Sequence, residues 1–72
     1  SISGKYMVNT RAGLNIRTGA NVKKRSLGVL AYGTVVRNYG YCTTASNGVK
    51  WFYVATESGM TGFCSSAYLK KL

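Results

Sequence analysis

A chain of 72 residues builds one domain around one small core and excludes a second. With 46% hydrophobic residues, six tyrosines and nine glycines, it is too apolar to stay disordered and suits short strands joined by tight turns. Ten Lys and Arg against one acid, Glu57, give a net charge of +9, which points to an anionic partner such as a nucleic acid, an acidic cell-wall polymer or a membrane surface, with an attraction that weakens as salt rises.

The chain opens with Ser1 to Gly4, which reads as a linker remnant, and the domain is expected over residues 5–72, a module cut from a longer protein. Leu14 and Ile16 alternate with Asn15 and Arg17, the period-two pattern of a strand buried on one side, so Leu14 and Ile16 turn inward. Residues 18–26 are polar and basic, with Gly19 and the run Lys23, Lys24 and Arg25, and predict a long loop standing off the core. A short strand follows at 27–30. Gly33 marks a turn before Thr34, Val35 and Val36 begin a longer strand that runs through Thr44 with Val36 inward.

Ser46, Asn47 and Gly48 supply a hairpin turn, and the return strand covers 49–55. A second turn at Glu57, Ser58 and Gly59 leads into a strand at 60–64, a 3₁₀ turn at 65–68 and a closing strand at 69–72. The sum is five to seven short strands in an all-β fold, and closing them into a barrel removes most exposed edges. The chain has no proline, so glycine carries the turns.

Several chemistries are excluded. Glycoside hydrolysis by two carboxylates needs a pair of acids, and this chain has one. Without histidine there is no imidazole base for a nucleophile and no histidine zinc site, and Cys42 and Cys64 lack zinc-site spacing. No phosphate-binding glycine loop with its lysine occurs, and no apolar run approaches the about 18 to 20 residues of a membrane span. Two cysteines allow one disulfide or two buried thiols; alternation from Val36 puts Cys42 on the core side.

Nine aromatic residues exceed the needs of so small a core, so some face solvent or ligand. In Trp51 to Val54, alternation sets Phe52 and Val54 on one side and Trp51 and Tyr53 on the other, so Trp51 looks outward into a groove. Tyr39 and Tyr41 share a side opposite Val36 and Cys42 and are expected as an exposed pair beside Trp51 across the hairpin. Tyr32 flanks the same groove from a turn, and Tyr68, before Leu69, is a further candidate contact whose stronger reading is structural packing. Asn15 and Arg17 point away from the core and suit hydrogen bonds to peptide carbonyls and carboxylates. Lys23, Lys24 and Arg25 suit a clamp on an anionic polymer. Each has a purely structural alternative: Trp51 as a cover for the barrel end, the tyrosines as sheet packing, Asn15 and Arg17 as loop braces, and the three cations as a solvated loop tip.

Taken together, Leu14-Asn15-Ile16-Arg17-Thr18-Gly19, Leu27-Gly28-Val29-Leu30, Trp51-Phe52-Tyr53-Val54, Gly59-Met60-Thr61-Gly62-Phe63-Cys64 and Tyr68-Leu69 resemble, in order and spacing, the bacterial SH3 domain family over about Lys5 to Leu72. The resemblance implies a small SH3-like barrel, with residues 18–26 as the loop beside the ligand groove. It also implies a non-catalytic, cofactor-free module that binds peptidoglycan, its peptide stems or anionic wall polymers. Such a module carries an attached hydrolase of the endolysin or autolysin type, alone or in tandem copies, to the extracellular wall as part of a secreted or phage-released protein. Ala20, Phe63 and Cys64 depart from the usual proline, tryptophan and valine of that pattern. The long N-terminal segment of the lysostaphin-type subgroup is missing, which argues against pentaglycine cross-bridges as the ligand. The competing reading is a basic small barrel that binds single-stranded nucleic acid through stacking and phosphate contacts. A eukaryotic-type SH3 reading fits poorly, because those domains place acids where this loop carries cations.

Overall fold

The computed structural model describes residues 1–72 and contains seven strands: β1 (Gly4–Val8), β2 (Leu14–Arg17), β3 (Ser26–Leu30), β4 (Val35–Thr44), β5 (Lys50–Thr56), β6 (Thr61–Ser65) and β7 (Leu69–Lys71), with a 3₁₀ turn at Ser66–Tyr68. All pairings are antiparallel, in one sheet of order β3-β2-β6-β5-β4-β1-β7. Laid flat, seven strands would span about 29 Å in a single layer. The domain measures 27 × 26 × 22 Å, so the sheet coils on itself into a barrel. Curvature rather than a continuous ladder closes it, since β3 and β7 are the end strands.

Alternation places Tyr6 and Val8, Leu14 and Ile16, Val36, Phe52 and Val54, and Cys64 in the core. Ile2, Leu27, Leu30, Cys42 and Leu69 pack around them. The first four residues, read from the sequence as a linker remnant, are part of this packing. Gly4 opens β1, the Tyr6 hydroxyl donates to the Ile2 carbonyl at 2.6 Å, and Lys71 Nζ donates to the Ser1 carbonyl at 2.7 Å.

Asn38 bends the long strand β4. It is fully buried, and its Oδ1 accepts the N–H groups of Gly40 and Tyr41 at 2.8 and 3.0 Å, with Gly40 at φ +102°. Asn38 faces Val54 while Cys42 faces Phe52, so four steps along β4 match two along β5. Two extra residues leave the inward parity of Cys42 intact but shift the register. Thr43, not Tyr41, lies opposite Trp51, and the expected Tyr39–Tyr41 pair beside the tryptophan does not form.

Gly59 in the β5–β6 turn and Gly62 in β6 serve different ends. Gly59 takes a positive φ of 93° in the turn. Gly62 lies where β2 crosses β6, and a Cβ there would sit 2.7 Å from Ile16 Cγ1 and 2.8 Å from the Arg17 carbonyl oxygen. Gly62→Ala is therefore expected to cost about 1–3 kcal/mol by overpacking. Gly28→Ala, whose Cβ would meet only Met60 Cε at 4.0 Å, serves as the control and should stay within about 0.5 kcal/mol. Urea unfolding of both variants checks this.

Cys42 and Cys64 flank Phe52 from the two neighbouring strands. Two strand spacings separate them by roughly 9.5 Å, beyond the about 7 Å within which a disulfide forms. Both are free thiols. Burial pushes the Cys64 thiol from 9.0 up to about 12. An acid whose folded pKa is raised contributes stability that is complete below its unfolded pKa and is lost as pH rises through the folded one. Stability should thus fall between pH 9.0 and about 12, and urea unfolding across that window should show a shallower decline for Cys64→Val. In the native protein near pH ~8, an alkylating reagent should label Cys42 well before Cys64, as mass spectrometry can read.

Candidate functional site

A groove of about 440 Å³ lies on the outer side of β2, β6 and β5, where the 18–25 loop, the 45–49 turn and the 3₁₀ turn converge. Each loop is held by its own bonds. Arg17 Nη1 donates to the Lys24 carbonyl at 3.0 Å, the Thr18 N–H donates to the Arg25 carbonyl at 3.0 Å, and Asn21 Oδ1 accepts the Lys23 N–H at 2.8 Å. These contacts fold the basic loop back on itself and turn Asn21 and Val22 toward the groove. Across from it, the 45–49 turn is closed by the Ala45 N–H to the Val49 carbonyl at 2.9 Å, with Gly48 at φ +87° and Asn47 Oδ1 accepting the Val49 N–H at 3.1 Å.

Trp51 forms part of the floor. As alternation predicts, it lies on the opposite side of β5 from Phe52 and Val54, and it lines the groove. It is only 4% exposed, so it offers no open stacking face. The 3₁₀ turn packs against β5, and Ser65 on β6 pairs with Trp51. Its indole N–H has no protein acceptor, yet Asn38 Nδ2 is the one enclosed side-chain N or O atom without a partner. The Trp51 N–H is therefore not fully enclosed and is free to donate. Half-exposed Tyr68 borders the same space, together with Leu14 and Val49.

Asn15 and Arg17 line this groove and brace it. Asn15 Oδ1 accepts the Ser26 hydroxyl at 2.7 Å and leaves its amide N–H groups free, while Arg17 spends one donor on Lys24. No carboxylate lines the groove, because Glu57 lies elsewhere. The lining is thus rich in donors over an apolar floor and repels no anion.

The other sequence candidates are dispersed. Tyr41 and Tyr53 pack edge to face with Phe63, at centroid separations of 5.0 to 6.5 Å, and the Tyr53 hydroxyl donates to Thr61 Oγ1 at 2.9 Å. Because Phe63 faces Arg17 across β6 and β2, this cluster sits beside a groove residue but does not itself line the groove. Tyr32 lies away from the groove under the Arg11 guanidinium at 4.5 Å, and Tyr39 lies under that of Arg37 at 5.7 Å. Lys23, Lys24 and Arg25 stay at the exposed loop tip and do not line the groove. Asn21, Val22, Asn47, Val49 and Ser65, which do line it, were not candidates by sequence. Loop residues carry no periodicity, and Asn47 showed itself only as a turn former.

Searches of the curated proteins and of the solved structures give no match. A family model described as a bacterial SH3 domain matches residues 12–70, a span that contains β2 through β6, the 3₁₀ turn, most of β7 and most of the groove. With the Leu14–Arg17 strand, Gly59 and Gly62 around the start of β6 and the Tyr68-Leu69 ending all inside that match, the chain belongs to the bacterial SH3 domain family, whose members are generally non-catalytic binding modules.

Proposed function

We propose that this domain is a cell-wall-binding module that holds an attached peptidoglycan hydrolase, of endolysin or autolysin type, on the outside of the bacterial wall. The observation that carries the reading is the groove itself: a carboxylate-free, donor-rich cleft lined by Trp51. Its volume of about 440 Å³ suits a short stretch of extended peptide or one or two sugar rings. Peptidoglycan stems present carbonyl and carboxylate oxygens, which the Trp51 N–H, the Asn15 amide and the remaining Arg17 donors can meet. The net charge of +9 adds a long-range attraction to an anionic wall. Function follows by targeting. A tethered catalytic domain works at a raised local concentration of its substrate, and tandem copies multiply the retention by avidity.

Sacculi stripped of acidic polymers by acid extraction should pellet the fluorescently labelled domain; failure to pellet would sink the proposal. Trp51→Phe keeps most of the floor and removes the donor, so retention should weaken about threefold to tenfold. Tyr68→Ala should weaken it as well. Raising salt to about 0.5 M should reduce binding to extracted sacculi only in part, since uncharged contacts survive screening.

A further inference from the structure

A second cleft, of about 360 Å³, shares no residue with the groove and is lined by Lys5, Val35, Arg37, Tyr39, Thr56 and Glu57 among others. Its defining feature is a register. β1 and β4 pair with Lys5 directly opposite Arg37, both exposed on the outer face because their neighbours Tyr6 and Val36 point inward. Like charges set directly opposite on one face of a sheet repel. Lys70 adds a third cation on the same face through its pairing with Met7. The one acid of the chain, Glu57, lines the cleft without forming an ion pair with either cation, so the lining carries two cations against one carboxylate and stays net positive.

The arrangement is also pre-set. Arg37 rests 5.7 Å from the Tyr39 ring centroid, and Tyr39 is placed by the bulge that Asn38 fastens. A guanidinium held this way presents a planar fork beside the point charge of a lysine, and an anion between them would offset their repulsion. Tetrahedral phosphate oxygens can accept from both at once. We infer that the Lys5–Arg37–Tyr39 cleft binds the phosphodiester groups of an acidic wall polymer. The inference rests on the proposed function only for the source of that polymer. A nucleic-acid strand fits less well, because stacking needs bare ring faces along the phosphate track. Here one face of Tyr39 is taken by Arg37, and the Tyr41, Tyr53 and Phe63 rings are turned edge to face on one another.

The test compares the wild-type domain with two charge-matched double variants, Lys5→Gln with Arg37→Gln and Lys23→Gln with Lys24→Gln. In melts at constant ionic strength, replacing chloride by inorganic phosphate should raise the Tm of the wild type and the loop variant, and raise that of the cleft variant by less than half as much. On walls that retain their phosphodiester polymers, the cleft variant should bind at least about fivefold more weakly than the loop variant. On acid-extracted sacculi the two should bind alike. Equal losses in both variants would reduce the effect to net charge and overturn the site, as would a cleft variant that phosphate stabilises like the wild type. A cleft-specific loss seen with anionic phospholipid vesicles or single-stranded oligonucleotides but not with walls would overturn the wall polymer as its ligand. Retention on extracted sacculi reads the groove alone, so either proposal can fail without the other.

Discussion

A single buried amide in the middle of the longest strand sets the shape of this domain. Asn38 gives its Oδ1 to two N–H groups of its own strand and leaves its Nδ2 without a partner, a burial that costs free energy wherever it occurs. In exchange β4 gains two residues over β5 at one point and can pair with β1 on one side of the bend and continue along β5 beyond it. The bend turns a seven-stranded sheet back toward itself and lets so few residues enclose a core.

The same bulge divides the aromatic and basic surface. At its start, Tyr39 sits with Arg37 in the second cleft beside Lys5; at its end, Tyr41 packs against Tyr53 and Phe63, next to Arg17 and the groove. The groove depends on a second constraint, the close crossing of β2 over β6. Without a side chain at position 62, Ile16 and the Arg17 backbone settle against β6, and this sets the base of the 18–25 loop beside the 45–49 turn. A methyl group at that crossing would push β2, and with it the wall formed by the 18–25 loop, away from β6. Packing and binding geometry are therefore coupled through one glycine.

Charge is distributed with a purpose that its total does not reveal. The groove holds Arg17 as its one charged side chain, already partly committed to the loop, so uncharged donors dominate its chemistry. The conspicuous run of Lys23, Lys24 and Arg25 faces solvent, where it contributes to long-range attraction more than to directed contacts. The close like-charged pair, Lys5 with Arg37, joins residues 32 positions apart along the chain and arises only from strand register.

The sequence by itself determined the strands from β2 onward to within about two residues, the turns at Gly48 and Gly59, the 3₁₀ turn, the inward set from Leu14 to Cys64 and the family. Those features are local: period-two alternation, turn chemistry and ordered short motifs are written in neighbouring residues. Even the side on which Trp51 lies could be read this way, since an insertion of two residues preserves parity. Tertiary structure alone decided what lies beside what. An unbulged hairpin would set Tyr41 against Trp51, and nothing in the spacing of β4 announces that Asn38 is buried and diverts the register. The covering of Trp51, the docking of residues 1–4, the separation of the two cysteines by Phe52 and the meeting of Lys5 with Arg37 are all contacts between distant segments. They depend on the sum of packing and hydrogen bonding over the whole barrel, which no local pattern encodes.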